Sequence, residues 1–201
     1  MKKESEESEL KNVYENLNDE EKVIIYVVGS LDNTPLRSRT KLQKVLFLVS
    51  NVFKDYKDLL EFEPHLFGPY SETIDYVLED LIKLGLINQA GNRYELTDQG
   101  KKIYSCLKPN PSLIKVIEDF KQFLNDLSDD EVLVFVYVSY PEFIKESAKW
   151  EDLKEKRVNI AISLLKKQKI SFGKAVQISG LKQDSFEGIL KKNNIKWRVQ
   201  Q

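Results

Sequence analysis

Through most of the 201-residue chain, apolar residues recur at spacings of three and four, between short polar or proline- and glycine-bearing stretches. That spacing lines apolar side chains along one face of an α-helix. A first helix is predicted from Asn18 or Asp19, with acids in its first turn and "NTPL" at 33–36 as its break. Leu42, Val45, Leu46, Val49 and Phe53 predict a second over about 38–54. Residues 62–71, with Pro64, Gly68 and Pro69, read as a loop. Ser71, Thr73 and Asp75 then open a third helix, whose stripe is Ile74, Val77, Leu78, Leu81 and Leu84 and whose stop is Gly85. At 86–97 the pattern changes to two apolar and aromatic arms about "QAGN", a hairpin with Gly91 in its turn. Thr97 or Asp98 caps the helix after it.

Helix, helix, helix, hairpin, helix is the order of a winged helix with a small β-hairpin wing. Pro109 and Pro111 follow, and then a helix face traced by Leu113, Val116, Ile117, Phe120, Phe123 or Leu124, and Leu127. Seven successive apolar residues, Val132 to Val138, suit a buried strand or a buried helix. The capping-box spacing of Ser128 and Glu131 favours the helix, and Pro141 opens another at its first turn. From 157 to 168 a helix turns Val158, Ile160, Ala161, Leu164 and Leu165 inward. Two short helices follow, one capped by Ser171 and one burying Phe186, Ile189 and Leu190. Ala175 at the crossing, Gly180 in the turn, Leu181 just after it and Phe186 as anchor meet the needs of a helix-turn-helix. The expected fold is mainly α, in four parts: an acidic flexible tail (1–17), a winged-helix-like domain (18–108), a helical connector (109–156) and a basic helix-turn-helix (157–201). The connector's acidic exterior and apolar interior suit a spacer, a dimer interface or a neck between domains.

The net charge of −1 conceals an asymmetry. Residues 1–21 hold three basic and eight acidic side chains, 22–107 eleven of each, 108–156 seven and eleven, and 157–201 ten and two. A terminal segment at +8 has the footprint of a polyanion partner, or of a lysine-rich solvated surface. No apolar run approaches the roughly 18 residues of a membrane span, and the amino terminus lacks the apolar core of a secretory signal, so a cytoplasmic protein is expected. One cysteine, Cys106, and one histidine, His65, allow no internal disulfide and no zinc set, and no cofactor is expected.

Candidate chemistry is that of binding. The third helix carries Glu72, Asp75, Glu79 and Asp80 against Lys83 alone, so phosphate would repel it. Just upstream, Arg37, Arg39, Lys41 and Lys44 form either a phosphate clamp or the solvated face of the second helix. In the helix-turn-helix, Lys182, Gln183 and Ser185 stand where base edges are read, with Gln183 suited to adenine. Lys174, Lys191, Lys192, Lys196 and Arg198 are placed for phosphates. His65 and Tyr70 are candidates for ligand or partner binding, although turn and cap chemistry accounts for this loop as well. No phosphate loop, metal cluster or nucleophile elbow is present, so no enzyme is expected.

Two resemblances bear on this. Lys41, Leu42, Gln43 and Lys44, taken with Phe67, Gly68, Pro69 and Tyr70, resemble a prokaryotic winged-helix-like family typified by YwgA and, more distantly, the Panacea antitoxin domain, over roughly 20–105. The latter implies neutralisation of a protein by binding. Over about 157–200, Lys169, Ile170, Ser171, Gly173, Lys174, Ala175, Gly180, Phe186, Leu190 and Ile195 match a small prokaryotic family with antitoxin-like helix-turn-helix sequences. Val176 departs from its pattern, and Asn194 stands near where that family has glycine, although asparagine tolerates a left-handed turn. That resemblance implies regulatory DNA binding or toxin pairing. The expected function is a DNA-binding transcriptional regulator with double-stranded DNA as partner and the N-terminal domain serving dimerisation or partner binding. The alternative is an antitoxin-like adaptor acting on a protein. A homodimer is a hypothesis motivated by the small footprint of one helix-turn-helix.

Overall fold

A computed structural model describes residues 12–197, which are mainly helical with one two-stranded antiparallel sheet. Of the tail read over 1–17, residues 12–16 form a short helix, α1, and 1–11 lie outside the described residues. The chain divides into two compact units. The first comprises the chain up to Glu63 together with Pro69–Asn125, and the second Pro64–Gly68 together with the chain from Asp126 onward. The segment 109–156 is thereby shared, 109–125 in the first unit and 126–156 in the second.

The first unit is built around α2 (Asp19–Asn33), whose Val23, Ile24, Ile25, Val27 and Val28 are fully buried. Asn18 caps it reciprocally: its side chain accepts from Glu21 N at 2.7 Å while its own N donates to the Glu21 carboxylate at 2.8 Å. Regular helix stops before the expected "NTPL" break, because Leu31, Asp32 and Asn33 take φ of 53°, 51° and 59°. Two long-range contacts stand at that turn. Lys121 Nζ donates to Val28 O and Ser30 O at 2.7 and 2.8 Å, and the Asn33 amide pairs with both backbone groups of Leu96 at 2.8 and 3.0 Å.

Ser38 caps α3 (Arg39–Val52), and a short α4 (Asp55–Leu60), not marked by the apolar pattern, follows it. Ser71 caps α5 (Glu72–Lys83), which buries Ile74, Leu78 and Leu81, whereas Leu84 lies just past its end and is exposed. Strands β1 (Ile87–Ala90) and β2 (Arg93–Leu96) pair Ile87 with Leu96 and Ala90 with Arg93 across a turn at Gly91 (φ 61°). Leu36 bridges to Tyr94 on the far side of β2 through two backbone bonds of 2.9 and 3.0 Å. Thr97 caps α6 (Asp98–Cys106), and α7 (Pro111–Asn125) packs on α2 and α3.

In the second unit α8 (Asp129–Ser139) is a helix buried on most sides, which is why its run of apolar residues has no polar stripe. Ser128 and Glu131 form its capping box, and Pro141–Ile144 makes one 3₁₀ turn. Then come α9 (Trp150–Lys166), α10 (Phe172–Ser179) and α11 (Gln183–Lys192). Asn194 adopts φ 54°, the left-handed conformation that suits asparagine or glycine.

Candidate nucleic-acid interface

The helix pair α10–α11 is held by its own buried side chains and by a residue of α9. Ala175, Ile178, Phe186 and Leu190 fill the space beneath, and Gly180 turns the chain at φ 72°. Arg157 on α9 reaches under that turn: its Nε donates to Ile178 O at 2.6 Å and its Nη2 to Gln177 O at 2.9 Å, satisfying carbonyls at the end of α10. The φ of 72° calls for glycine at position 180, and a Cβ there would sit 2.9 Å from Arg157 Nη1 and push the guanidinium off its carbonyls. The guanidinium lies 5.4 Å from the Trp150 ring centre, and Trp150 meets Tyr137 edge-on at 5.7 Å. Burial pulls the pKa of Arg157 below its ordinary value. Glu131 on α8, only 5% exposed, fastens that helix to the end of α9, accepting from Ser163 Oγ at 2.6 Å and Lys167 Nζ at 2.7 Å. Burial alone would raise its pKa, but the bonds from Lys167, Ser163 and Ser128 N prevail and hold it below the usual carboxylate range.

The outer side of this pair is polar. Lys182 takes the N-cap position of α11 without a side-chain cap bond, and Lys182, Gln183, Ser185, Lys191, Lys192 and Lys196 are all exposed. The Gln183 amide donates to Glu187 at 2.9 Å, and Lys191 pairs with the same carboxylate at 3.7 Å. Arg198 lies outside the described residues. Lys174 departs from its expected place at phosphates: it is half-buried, its Nζ donates to Ser139 Oγ at 2.9 Å and lies 5.4 Å from the Phe135 ring, and desolvation lowers its pKa. Lys167 and Lys169 pair with Glu131 and Asp126. Together with Arg157, these residues direct a good part of the segment's positive charge inward.

The upstream basic cluster is corrected more sharply. Lys41 and Lys44, read as a clamp or a solvated face, are 4% and 2% exposed. Their ammonium groups donate to Asn125 O at 3.2 Å and Pro69 O at 2.7 Å, so neither reaches a phosphate. Between them Gln43 pairs its amide with both backbone groups of Ser71, at 2.9 and 3.0 Å. The two motifs at 41–44 and 67–70 are thus fastened to one another or to the adjacent residue, which explains their co-occurrence. Arg39 pairs with Asp75 at 3.3 Å and Glu79 at 3.5 Å, which neutralises it, while Arg37 is exposed. Tyr70 donates to Asp75 at 2.7 Å, and desolvation first, then this bond, pushes its pKa up to about 12. Tyr70 belongs to the first unit and half-buried His65 to the second. Tyr70, Glu72, Asp75, Tyr76 and Glu79 line an acidic depression of about 190 Å³.

The sequence signals for Arg157, Trp150 and Lys121 were weak, because each acts through a partner distant in sequence. Among the described residues no group of three or more His, Cys, Asp or Glu is placed to hold a metal, and no helix is long and apolar enough to cross a membrane. No curated protein and no solved structure matches the chain. Residues 136–201, which include all of α9, α10 and α11, match the profile of an uncharacterised protein family, UPF0175.

Proposed function

We propose that the C-terminal unit binds double-stranded DNA in transcriptional control, with α10 and α11 as a helix-turn-helix. The carrying observation is the two-sidedness of α11: Phe186 and Leu190 are fully buried, while Lys182, Gln183, Ser185 and Lys192 face outward from a turn clamped by Arg157. In this docking the start of α11 enters the major groove, with Gln183 set to read adenine once its amide leaves Glu187. Lys191, Lys192 and Lys196 meet phosphates on the flanks, with Arg198 as a further sequence-based candidate. The N-terminal unit, taken as a winged-helix-like domain with β1–β2 as wing, serves dimerisation or partner binding in the cytoplasm. The test is fluorescence anisotropy with a duplex pool across salt. Log affinity is expected to fall linearly with log salt, and Lys182→Ala with Lys192→Ala to weaken binding. Equal binding by wild type and the double variant would remove α11 from the interface.

One observation favours a second reading, an antitoxin-like adaptor. The α5 face combines acids with Tyr76, 67% exposed, a chemistry suited to a basic protein surface. Loss of a co-purifying basic protein on Tyr76→Ala, with DNA affinity unchanged, would select it.

A further inference from the structure

A cavity of about 760 Å³ lies in the second unit, lined by Leu165, Lys166, Lys169, Ile170, Trp197 and Lys196, with Gln168 and Ser171 completing the wall. Its size falls in the range of about 300–1,000 Å³ typical of small-molecule sites. Three lysines and no carboxylate line it, and of these Lys169 is paired with Asp126. Lys166 and Lys196 are exposed, so the wall carries positive charge that no lining carboxylate offsets. Leu165, Ile170 and Trp197 give the wall an apolar and aromatic part beside the polar Gln168 and Ser171. Trp197 stacks on Phe172 with ring centres 5.6 Å apart and planes 16° from parallel, which fixes the indole as a flat, rigid surface. A bare anion would use the lysines and waste the indole, and an apolar ligand would lie against ammonium groups. A planar aromatic body bearing a phosphate satisfies both walls.

We infer that this cavity binds a phosphate-bearing aromatic ligand of mononucleotide size, its phosphate held by Lys166 and Lys196 and its ring stacked along Trp197. The inference does not rest on duplex binding by α11: Lys196 is shared with that reading, but Lys166 and Trp197, the residues tested, take no part in it.

Isothermal titration of the full chain with AMP, adenosine and inorganic phosphate tests it without DNA present. AMP is expected to bind at least tenfold more tightly than either fragment. Lys166→Glu should raise the AMP Kd at least tenfold, and Trp197→Ala should bring AMP down to the level of inorganic phosphate, both with unchanged circular dichroism. Lys166 is exposed, so its replacement leaves the fold in place. Competition by a 5′-phosphorylated single strand, and not by its 5′-hydroxyl form, identifies a strand end as the source; absence of competition beside tight AMP binding identifies the free nucleotide. No heat with AMP, or AMP binding indifferent to both substitutions, overturns the assignment and leaves the duplex reading untouched.

Discussion

Lys121 is fully buried, with its ammonium on Val28 O and Ser30 O, and desolvation pulls its pKa from 10.5 down to about 7. A neutral amine still offers two hydrogens, enough for those two carbonyls. Between pH 7 and 10.5 the unfolded chain therefore binds one proton more than the folded one, so stability from this group is complete above 10.5 and is lost as pH falls toward 7. Each pH unit in that window is worth about 1.4 kcal/mol, so wild type should gain about 2 kcal/mol from pH 7.5 to 9.0 through this side chain. Lys121→Met removes the gain and leaves two buried carbonyls without their donor. At pH 9.0 the variant should be less stable by about 1–3 kcal/mol, a deficit that shrinks or reverses at 7.5. Urea unfolding at the two pH values, followed by far-ultraviolet circular dichroism, gives the comparison. Fluorescence would not, because Trp150 and Trp197 both belong to the second unit. Parallel shifts for wild type and variant would show that the lysine keeps its proton when folded and would refute the reasoning.

Further outcomes follow from the same geometry. Gly180→Ala places a methyl group against Arg157 at a left-handed backbone angle, so urea unfolding of the second unit, read by tryptophan fluorescence, should show a loss of about 1–3 kcal/mol. Glu131→Gln weakens the link to Lys167, which is partly exposed at 39%, so the expected cost at pH 7 is about 1–2 kcal/mol. Because the Glu131 pKa is depressed on folding, that contribution is present above pH 4.5 and lost as pH falls through the lowered folded value; acid titration of the variant should lack this component. Lys192→Ala should reduce the salt slope of DNA binding by about one, whereas Lys44→Met should lower thermal stability and leave that slope unchanged.

Local chemistry made the helix starts legible. Ser71, Thr97, Ser128 and Ser171 each cap the helix that follows, as Ser38 does at a start read from apolar spacing alone, and the capping box at Ser128 and Glu131 decided between helix and strand for α8 correctly. What periodicity could not show is a polar side chain buried by design. Lys41, Gln43 and Lys44 point into the structure because α3 is flanked by α7 and by the loop at 69–71, whose carbonyls receive them from far along the chain. Leu84 continues the stripe of α5 in sequence yet falls beyond its last turn, where nothing covers it. The +8 tail likewise overstated the surface charge, since Arg157, Lys167, Lys169 and Lys174 are engaged internally. For the candidate interface the sequence pointed to the right turn glycine and anchor, but the clamp beneath it comes from α9.

The second unit is discontinuous, and this governs how it can be inherited or excised. Leu66 O accepts from Ala148 N at 3.1 Å, and any side chain on Gly68 would press on the Tyr137 ring, so a five-residue stretch from early in the chain completes a module whose remainder is made some sixty residues later. A gene fragment encoding only 157–201 would lack Trp150 under Arg157, Glu131 beside Lys167 and Ser139 beside Lys174. During synthesis, residues 64–68 leave the ribosome before any of their later neighbours exist, and they must wait for the chain from Asp126 onward. Recombination that swaps the C-terminal part alone would separate a module from its own missing piece, which favours transfer of the two halves together.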